Sequence, residues 1–113
     1  MSPQPDPQLV FRALADPTRR SILSMLAGRP RALFEIASAF EISRPAVAKH
    51  LEILREGGLV ETEQQGRKRV TRLTPAPLRS AAEWIAEFER FWDARLETLK
   101  EIAEKSYDTD ENR

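Results

Sequence analysis

The sequence predicts a mainly α-helical chain of α+β class, with a single β-hairpin and a long C-terminal helix. Three observations carry this prediction. Apolar residues recur at three- and four-residue steps in four segments before residue 57. Between residues 59 and 73 the period changes to two, on either side of a Gln65-Gly66-Arg67-Lys68 tip. From Leu78 to Lys105 the helical step returns.

The elements follow in order. Residues 1–7 are Pro-rich and read as a disordered N-terminal segment. Leu9, Val10, Ala13 and Leu14 then share one face of a first helix over 8–15. Asp16-Pro17 ends it and starts a second helix: Asp16 is a good N-cap, and Pro17 fits the first helical position, where no N–H is needed. Ile22, Leu23, Met25 and Leu26 are the apolar set of that helix, which Gly28-Arg29-Pro30 terminates. A short third helix over Leu33–Phe40 turns Leu33, Ile36, Ala37 and Phe40 inward. Arg31-Ala32 before it offers no side-chain cap, an omission that costs about 1 kcal/mol.

After Glu41-Ile42-Ser43 comes a fourth helix, Arg44 to Glu56, capped by Ser43 and closed by Gly57-Gly58. Leu59–Glu63 and Arg69–Leu73 read as the strands of the hairpin, and Thr74-Pro75-Ala76-Pro77 punctuates before the final helix over 78–105. Residues 106–113 read as a polar tail.

Composition narrows the function. A chain of 113 residues fits one domain, here 8–105. With no cysteine, disulfides, thiolate metal sites and thiol catalysis are all excluded, as suits a reducing cytosol. The N-terminus lacks the basic start and apolar run of a signal peptide, and no stretch approaches the ~20 apolar residues of a membrane span. A cytoplasmic protein without membrane contact is expected. Net charge is zero but unevenly spread: Arg12–Thr74 holds 12 Lys/Arg against 7 Asp/Glu, while Pro75–Arg113 holds 6 against 10. A basic body joined to an acidic C-terminal segment suggests a surface for polyanions set apart from a segment with another task.

The order short helix, tight turn, second helix, hairpin is that of a winged helix-turn-helix over 33–56 and 59–73. A recognition helix needs one apolar face for docking and a polar N-terminal half for the major groove. Val47, Leu51 and Leu54 supply the docking stripe, leaving Ser43, Arg44, Ala46, Lys49 and His50 free to meet DNA. Arg67, Lys68 and Arg69 place three positive charges at the wing, where they can follow the backbone or enter the minor groove. Arg19 and Arg20, at the start of the second helix, suit either phosphate contact or pairing with acidic residues of the C-terminal helix.

LADPTRRSILSML at Leu14–Leu26, then EIASAFEISRPAVAKHLEILREGGLVE, then GRKRVTRLT resemble an ArsR-type winged-helix repressor over nearly the whole chain. The run SRPAVAKHLEILREGGLV is the sharpest part of the resemblance. It implies base or phosphate contacts from Ser43, Arg44, Pro45, Ala46, Lys49 and His50, and wing contacts from Arg67, Lys68 and Arg69. The long aromatic C-terminal helix resembles the metal-independent branch, whose members act as dimeric repressors or autorepressors. Where many relatives carry a metal-sensing Cys-x-Cys, this chain has Ala32 and Phe34, which cannot ligate. The other common site needs an imidazole on the C-terminal helix, but the sole histidine is His50. No metal and no other cofactor is expected.

Along the last helix Leu78, Ala81, Ile85, Phe88, Trp92, Leu99 and Ile102 form a stripe, widened by Trp84, Phe91 and Leu96. A helix of this length runs about 40 Å. The preceding body is too small to bury it all, so the stripe implies a partner surface. A two-fold homodimer is the simplest solution, with Trp84, Ile85, Phe88, Trp92, Leu96 and Leu99 at its interface and Leu9, Val10 and Leu14 of the first helix joining it. Two recognition helices about 34 Å apart would then read a palindromic operator in double-stranded DNA.

Two alternatives compete. One is a protein–protein adaptor using the same scaffold, which predicts a recognition face without net positive charge. The other keeps DNA binding and adds a small-molecule effector, of a kind the sequence does not specify, at the aromatic dimer interface. Catalysis has no support: His50 stands alone, no Ser/His/Asp set has useful spacing, and no glycine loop could cradle a phosphate.

Overall fold

Asp6 opens the first helix by accepting the Gln8 N–H on its carboxylate at 3.0 Å, and Pro7 takes the first helical position. The structure, a computed structural model, describes residues 6–111. Among these, six helices and three short strands run in the order α1 (Pro7–Leu14), α2 (Pro17–Gly28), β1 (Arg31–Ala32), α3 (Leu33–Phe40), α4 (Arg44–Glu56), β2 (Val60–Gln65), β3 (Lys68–Leu73), α5 (Leu78–Ala86) and α6 (Glu89–Glu111). The disorder expected of 1–7 lies outside the described residues at 1–5, whereas Asp6 and Pro7 are the cap and first turn of α1.

The chain divides into two units, the first ending at Ala81 and the second starting at Ala82. In the first, one core gathers Val10 and Ala13 of α1, Ile22, Leu23 and Leu26 of α2, Ile36 and Ala37 of α3, Val47, Leu51 and Leu54 of α4, and Leu59, Val60 and Ala81. Val10 has no exposed surface. The place given to it at a dimer interface is therefore corrected: its side chain is spent inside its own core.

Arg19 and Arg20 are engaged at the end of α1. The C-terminal turn of α1 leaves carbonyls without intrahelical partners, and these arginines cap them. Arg19 donates from Nε to the Ala13 carbonyl at 2.9 Å and from Nη2 to the Arg12 carbonyl at 2.9 Å. Arg20 donates from Nη1 to the Leu14 carbonyl at 2.7 Å. Neither pairs with a carboxylate among the described residues.

Asp16 caps α2 as expected, its carboxylate accepting the Arg19 N–H at 3.0 Å. At α3 the missing cap is half replaced. Ala32 has no side-chain acceptor, but Glu35 reaches back to take the Ala32 N–H at 3.1 Å and is held there by Arg29 at 2.9 Å. Arg31-Ala32 is also β1, paired antiparallel with Thr71 and Val70 of β3, a strand the sequence did not announce.

The sheet order is β1-β3-β2, with β2 and β3 joined in register from Val60↔Leu73 to Gln65↔Lys68. Both hairpin strands are longer than expected, and the turn is reduced to Gly66-Arg67. Gly66 stands at φ +63 in the first central position, where a two-residue hairpin favours glycine.

The last helix is not continuous. It breaks between Ala86 and Glu89, where the N–H groups of Glu87 and Phe88 donate to Trp84 and Ile85, three residues back instead of four. Its end is corrected too, since α6 runs through Glu111 into the stretch read as tail, of which 112 and 113 lie outside the described residues. No helix among the described residues is long and apolar enough to cross a membrane.

Candidate nucleic-acid interface

The recognition helix is α4, and both of its ends are locally encoded. Ser43 Oγ accepts the Ala46 N–H at 3.2 Å, and Pro45 sits in the first turn. At the other end the Gly58 N–H donates to Arg55 at 2.8 Å and the Leu59 N–H to Leu54 at 3.0 Å. That is a Schellman closure, with Gly58 left-handed at φ +72. Between these stops Val47, Leu51 and Leu54 are buried against the core, which fixes the rotation of the helix about its axis. The opposite side is therefore presented outward.

Ser43, Arg44, Pro45 and Lys49 are exposed, and Ala46 and His50 are half-buried. Arg67, Lys68 and Arg69 are exposed on the hairpin, all of whose residues from Glu61 to Arg69 are exposed. Arg44 and the three wing cations line one open notch of about 250 Å³ together with Ala32, Leu33 and Phe34. The fold thus brings the start of α4 and the wing tip, more than twenty residues apart in sequence, to one place. Among the described residues, no carboxylate lines the notch. None of Arg44, Lys49, Arg67, Lys68 and Arg69 forms an ion pair among the described residues. In contrast, Arg12 pairs with Glu56, Arg29 with Glu35, and Arg72 with Glu63. Cations without an ion pair among the described residues thus include those facing outward around α4 and the wing, a charge pattern that suits a polyanion.

His50 is less free than the helical wheel suggested. Its Nδ1 lies 3.4 Å from Nη1 of Arg19. Phe34 is a further residue the sequence reading missed: 48% exposed, it stands in the cationic notch. Its apolar type at helical spacing gave no signal, and only the fold places it beside Arg44. A second open groove, of about 310 Å³, runs between α4 and the wing and is lined by Ala48, Glu52, Arg55, Thr62, Arg69 and Thr71 among others.

Two carboxyls near this framework sit below their ordinary range. The N–H of Arg19 hydrogen-bonded to Asp16 lowers its pKa, helped by the Arg19 guanidinium. The Ala32 N–H does the same for Glu35, with the Arg29 side chain adding to it. Among the described residues no group of three or more His, Asp or Glu side chains is placed to hold a metal ion.

In the second unit Trp84, Ile85, Phe88, Phe91, Trp92, Leu96, Leu99 and Ile102 are exposed, from 38% at Phe88 to 61% at Trp92. Trp84 and Phe88 meet edge to face at 5.0 Å. Leu9 and Leu14 of α1 are half-buried.

Comparison with known proteins points the same way. Residues 14–63 match a family model described as a helix-turn-helix domain. The chain is similar to the HTH-type transcriptional regulator Rv2034 of Mycobacterium tuberculosis, at 36% identity over 108 residues, which are 96% of this chain and 98% of that protein. A solved ArsR family transcriptional regulator, RHA00566, superposes with a TM-score of 0.69 at 34% identity, covering 82% of this chain and 97% of its own. Mb0332 of Mycobacterium bovis, a possible ArsR-family regulator solved as a homodimeric winged helix-turn-helix DNA-binding domain, gives 0.61 at 29% identity, covering 73% and 79%. The recognition helix, the wing and these relatives lead to one assignment: the chain belongs to the ArsR family of winged helix-turn-helix transcriptional regulators, which are DNA-binding proteins and not enzymes.

Proposed function

We propose that this chain works as a homodimeric repressor that occupies a two-fold operator, presenting the N-terminal half of α4 to the major groove and the wing to the backbone or minor groove. The observation that carries this is the set of cations Arg44, Lys49, Arg67, Lys68 and Arg69 around one end of α4 and the wing, none of them ion-paired among the described residues. Arg44 and Lys49, on the helix, are the base-reading candidates, with Ser43, Pro45, Ala46 and His50 beside them. Arg67, Lys68 and Arg69 are the positioning contacts. A positively charged recognition face is what the adaptor alternative does not predict.

The exposed apolar row of α5 and α6 supports the homodimer, because eight large apolar side chains in water favour a second copy over solvent. The homodimeric state of Mb0332 adds to it. Trp84, Ile85, Phe88, Trp92, Leu96 and Leu99 form the interface on the second unit. The protein acts in the cytoplasm, where its DNA is, and represses by keeping polymerase off the site.

The test is a titration of duplex DNA with the full chain across a range of salt concentrations. Log affinity is expected to fall linearly with log salt, and a variant with Arg44, Lys49, Arg67 and Lys68 all changed to Ala is expected to lose binding. Unchanged affinity in that variant would contradict the reading.

A further inference from the structure

We propose that Arg19 is a positioning residue for DNA recognition: it fixes neutral His50 as the tautomer protonated on Nε2, so that His50 meets DNA as a hydrogen-bond donor. This rests on the reading of α4 as the DNA-contacting helix.

The guanidinium of Arg19 has five N–H donors and no acceptor. Its Nη1 lies 3.4 Å from His50 Nδ1, so a hydrogen bond there requires Nδ1 to be the acceptor. A neutral imidazole accepting at Nδ1 carries its proton on Nε2. Arg19 is not free to turn away, because its Nε and Nη2 are committed to the carbonyls of Ala13 and Arg12 at the end of α1. Its own backbone N–H is bound by Asp16 at the start of α2. One side chain thus joins the end of α1, the start of α2 and the middle of the recognition helix.

Among the described residues, the charged groups shown to act on His50 are Arg19 of α2 and Asp16, the N-cap of that helix. From α1 only main-chain carbonyls meet this guanidinium, since the Arg12 side chain is turned to Glu56 of α4. Doubly protonated, the imidazole would set an N–H against the Arg19 N–H, so the hydrogen bond itself can form only with a neutral ring that accepts at Nδ1.

His50 Nε2 has no hydrogen-bond partner among the described residues, and it is not among the buried polar atoms that lack one. It therefore reaches solvent, next to Lys49 and one turn beyond Ala46. The group it would meet is a hydrogen-bond acceptor of DNA, a phosphate oxygen or the N7 or O6 of a purine.

The chain has one histidine, so its imidazole nitrogens can be read without assignment. Long-range ¹H–¹⁵N spectra of the free full-length protein at about pH 8, where an imidazole is neutral, are expected to show Nε2 protonated and Nδ1 bare. The opposite tautomer would overturn the proposal. This measurement needs no DNA, so it stands apart from whether the reading of α4 holds.

A double-mutant cycle supplies the second arm. Arg19→Met should weaken binding to a selected site about three- to tenfold, the worth of one hydrogen bond. In a His50→Leu background it should weaken it no further. Equal loss in both backgrounds would mean that Arg19 acts only as a cap for α1, and the proposal would fail. His50→Gln keeps an N–H donor and should restore most of what His50→Leu loses; no restoration would count against a donor role. A loss uniform across sequences assigns the acceptor to phosphate, and a loss confined to one base-pair position assigns it to a purine.

Discussion

Gly57 rests directly on the backbone of Leu9: a Cβ on the glycine would stand 3.0 Å from the Leu9 carbonyl oxygen and 3.5 Å from the Cα of Val10. This is where the end of the recognition helix meets α1, and the obstructing atoms are main chain, which cannot swing aside. Gly57→Ala should therefore destabilise the protein by about 1–3 kcal/mol through overpacking. Gly57 has ordinary right-handed geometry at φ −78, so no backbone strain adds to this. At Gly58 the situation is reversed: φ is +72, and Gly58→Ala should cost about 1–2 kcal/mol by strain alone. Urea midpoints of the two variants check both, and an unchanged midpoint for Gly57→Ala would refute the close α1–α4 approach.

Asp16 and Glu35 give the fold an acid limit. Hydrogen bonds from the Arg19 and Ala32 N–H groups lower their folded pKa below the unfolded values. The unfolded chain therefore binds more protons in acid, and stability falls with falling pH. Their contribution is complete above the ordinary carboxylate range and is lost as pH drops through the folded pKa. Asp16→Asn keeps a good N-cap without the charge. It should change thermal stability little near pH 7 and make the decline below about pH 4 shallower. A decline as steep as that of the parent chain would remove Asp16 from this role.

Reading and positioning residues should separate in their salt and sequence dependence. Arg67→Ala and Lys68→Ala should weaken binding to every duplex and lower the salt slope by about 0.9 for each phosphate no longer neutralised. Arg44→Ala and Lys49→Ala should instead shift preference at particular base pairs by about 1–3 kcal/mol. Competition titrations with specific and random duplexes decide this. Equal weakening of both duplexes by all four changes would contradict the division.

The apolar row of α6 predicts how the dimer can be undone. Leu96 and Leu99 are each 60% exposed, so Leu96→Glu with Leu99→Glu disturbs no core of the single chain. The double change removes two leucines from each protomer, and even two leucines lost from an interface are worth about 3–6 kcal/mol. The dimer constant should weaken at least about a hundredfold, while the helical signal of the first unit persists. Sedimentation velocity checks the mass, and an unchanged dimer would place the interface elsewhere.

Much of this molecule could be read from the chain where local chemistry sets the outcome. Ser43, Pro45 and Gly57-Gly58 bound α4 to the residue, because caps and left-handed closures are local events. Ser43, Arg44, Pro45 and Lys49 could likewise be placed on the outer side of α4, since Val47, Leu51 and Leu54 fix which side is inside, and Arg67, Lys68 and Arg69 at an exposed hairpin end. What was not legible depends on distance. β1 is two residues long and exists only because β3 pairs with it. The capping of α1 by Arg19 and Arg20 reaches back six or seven residues across a turn, and the Arg19–His50 approach spans thirty-one. The break after Ala86 has no glycine or proline to announce it, and the apolar stripe runs through it without interruption. Val10 was misplaced because its spacing alone cannot say whether an apolar face meets its own core or another chain.

Operator reading by a dimer is tested by a selection of bound sequences from random duplex DNA with the purified full-length chain at near-physiological salt. An enriched inverted repeat is expected, with half-sites about one helical turn, ~34 Å, apart. Recovery of sequences indistinguishable from the starting pool would contradict a dimer that reads its operator through α4.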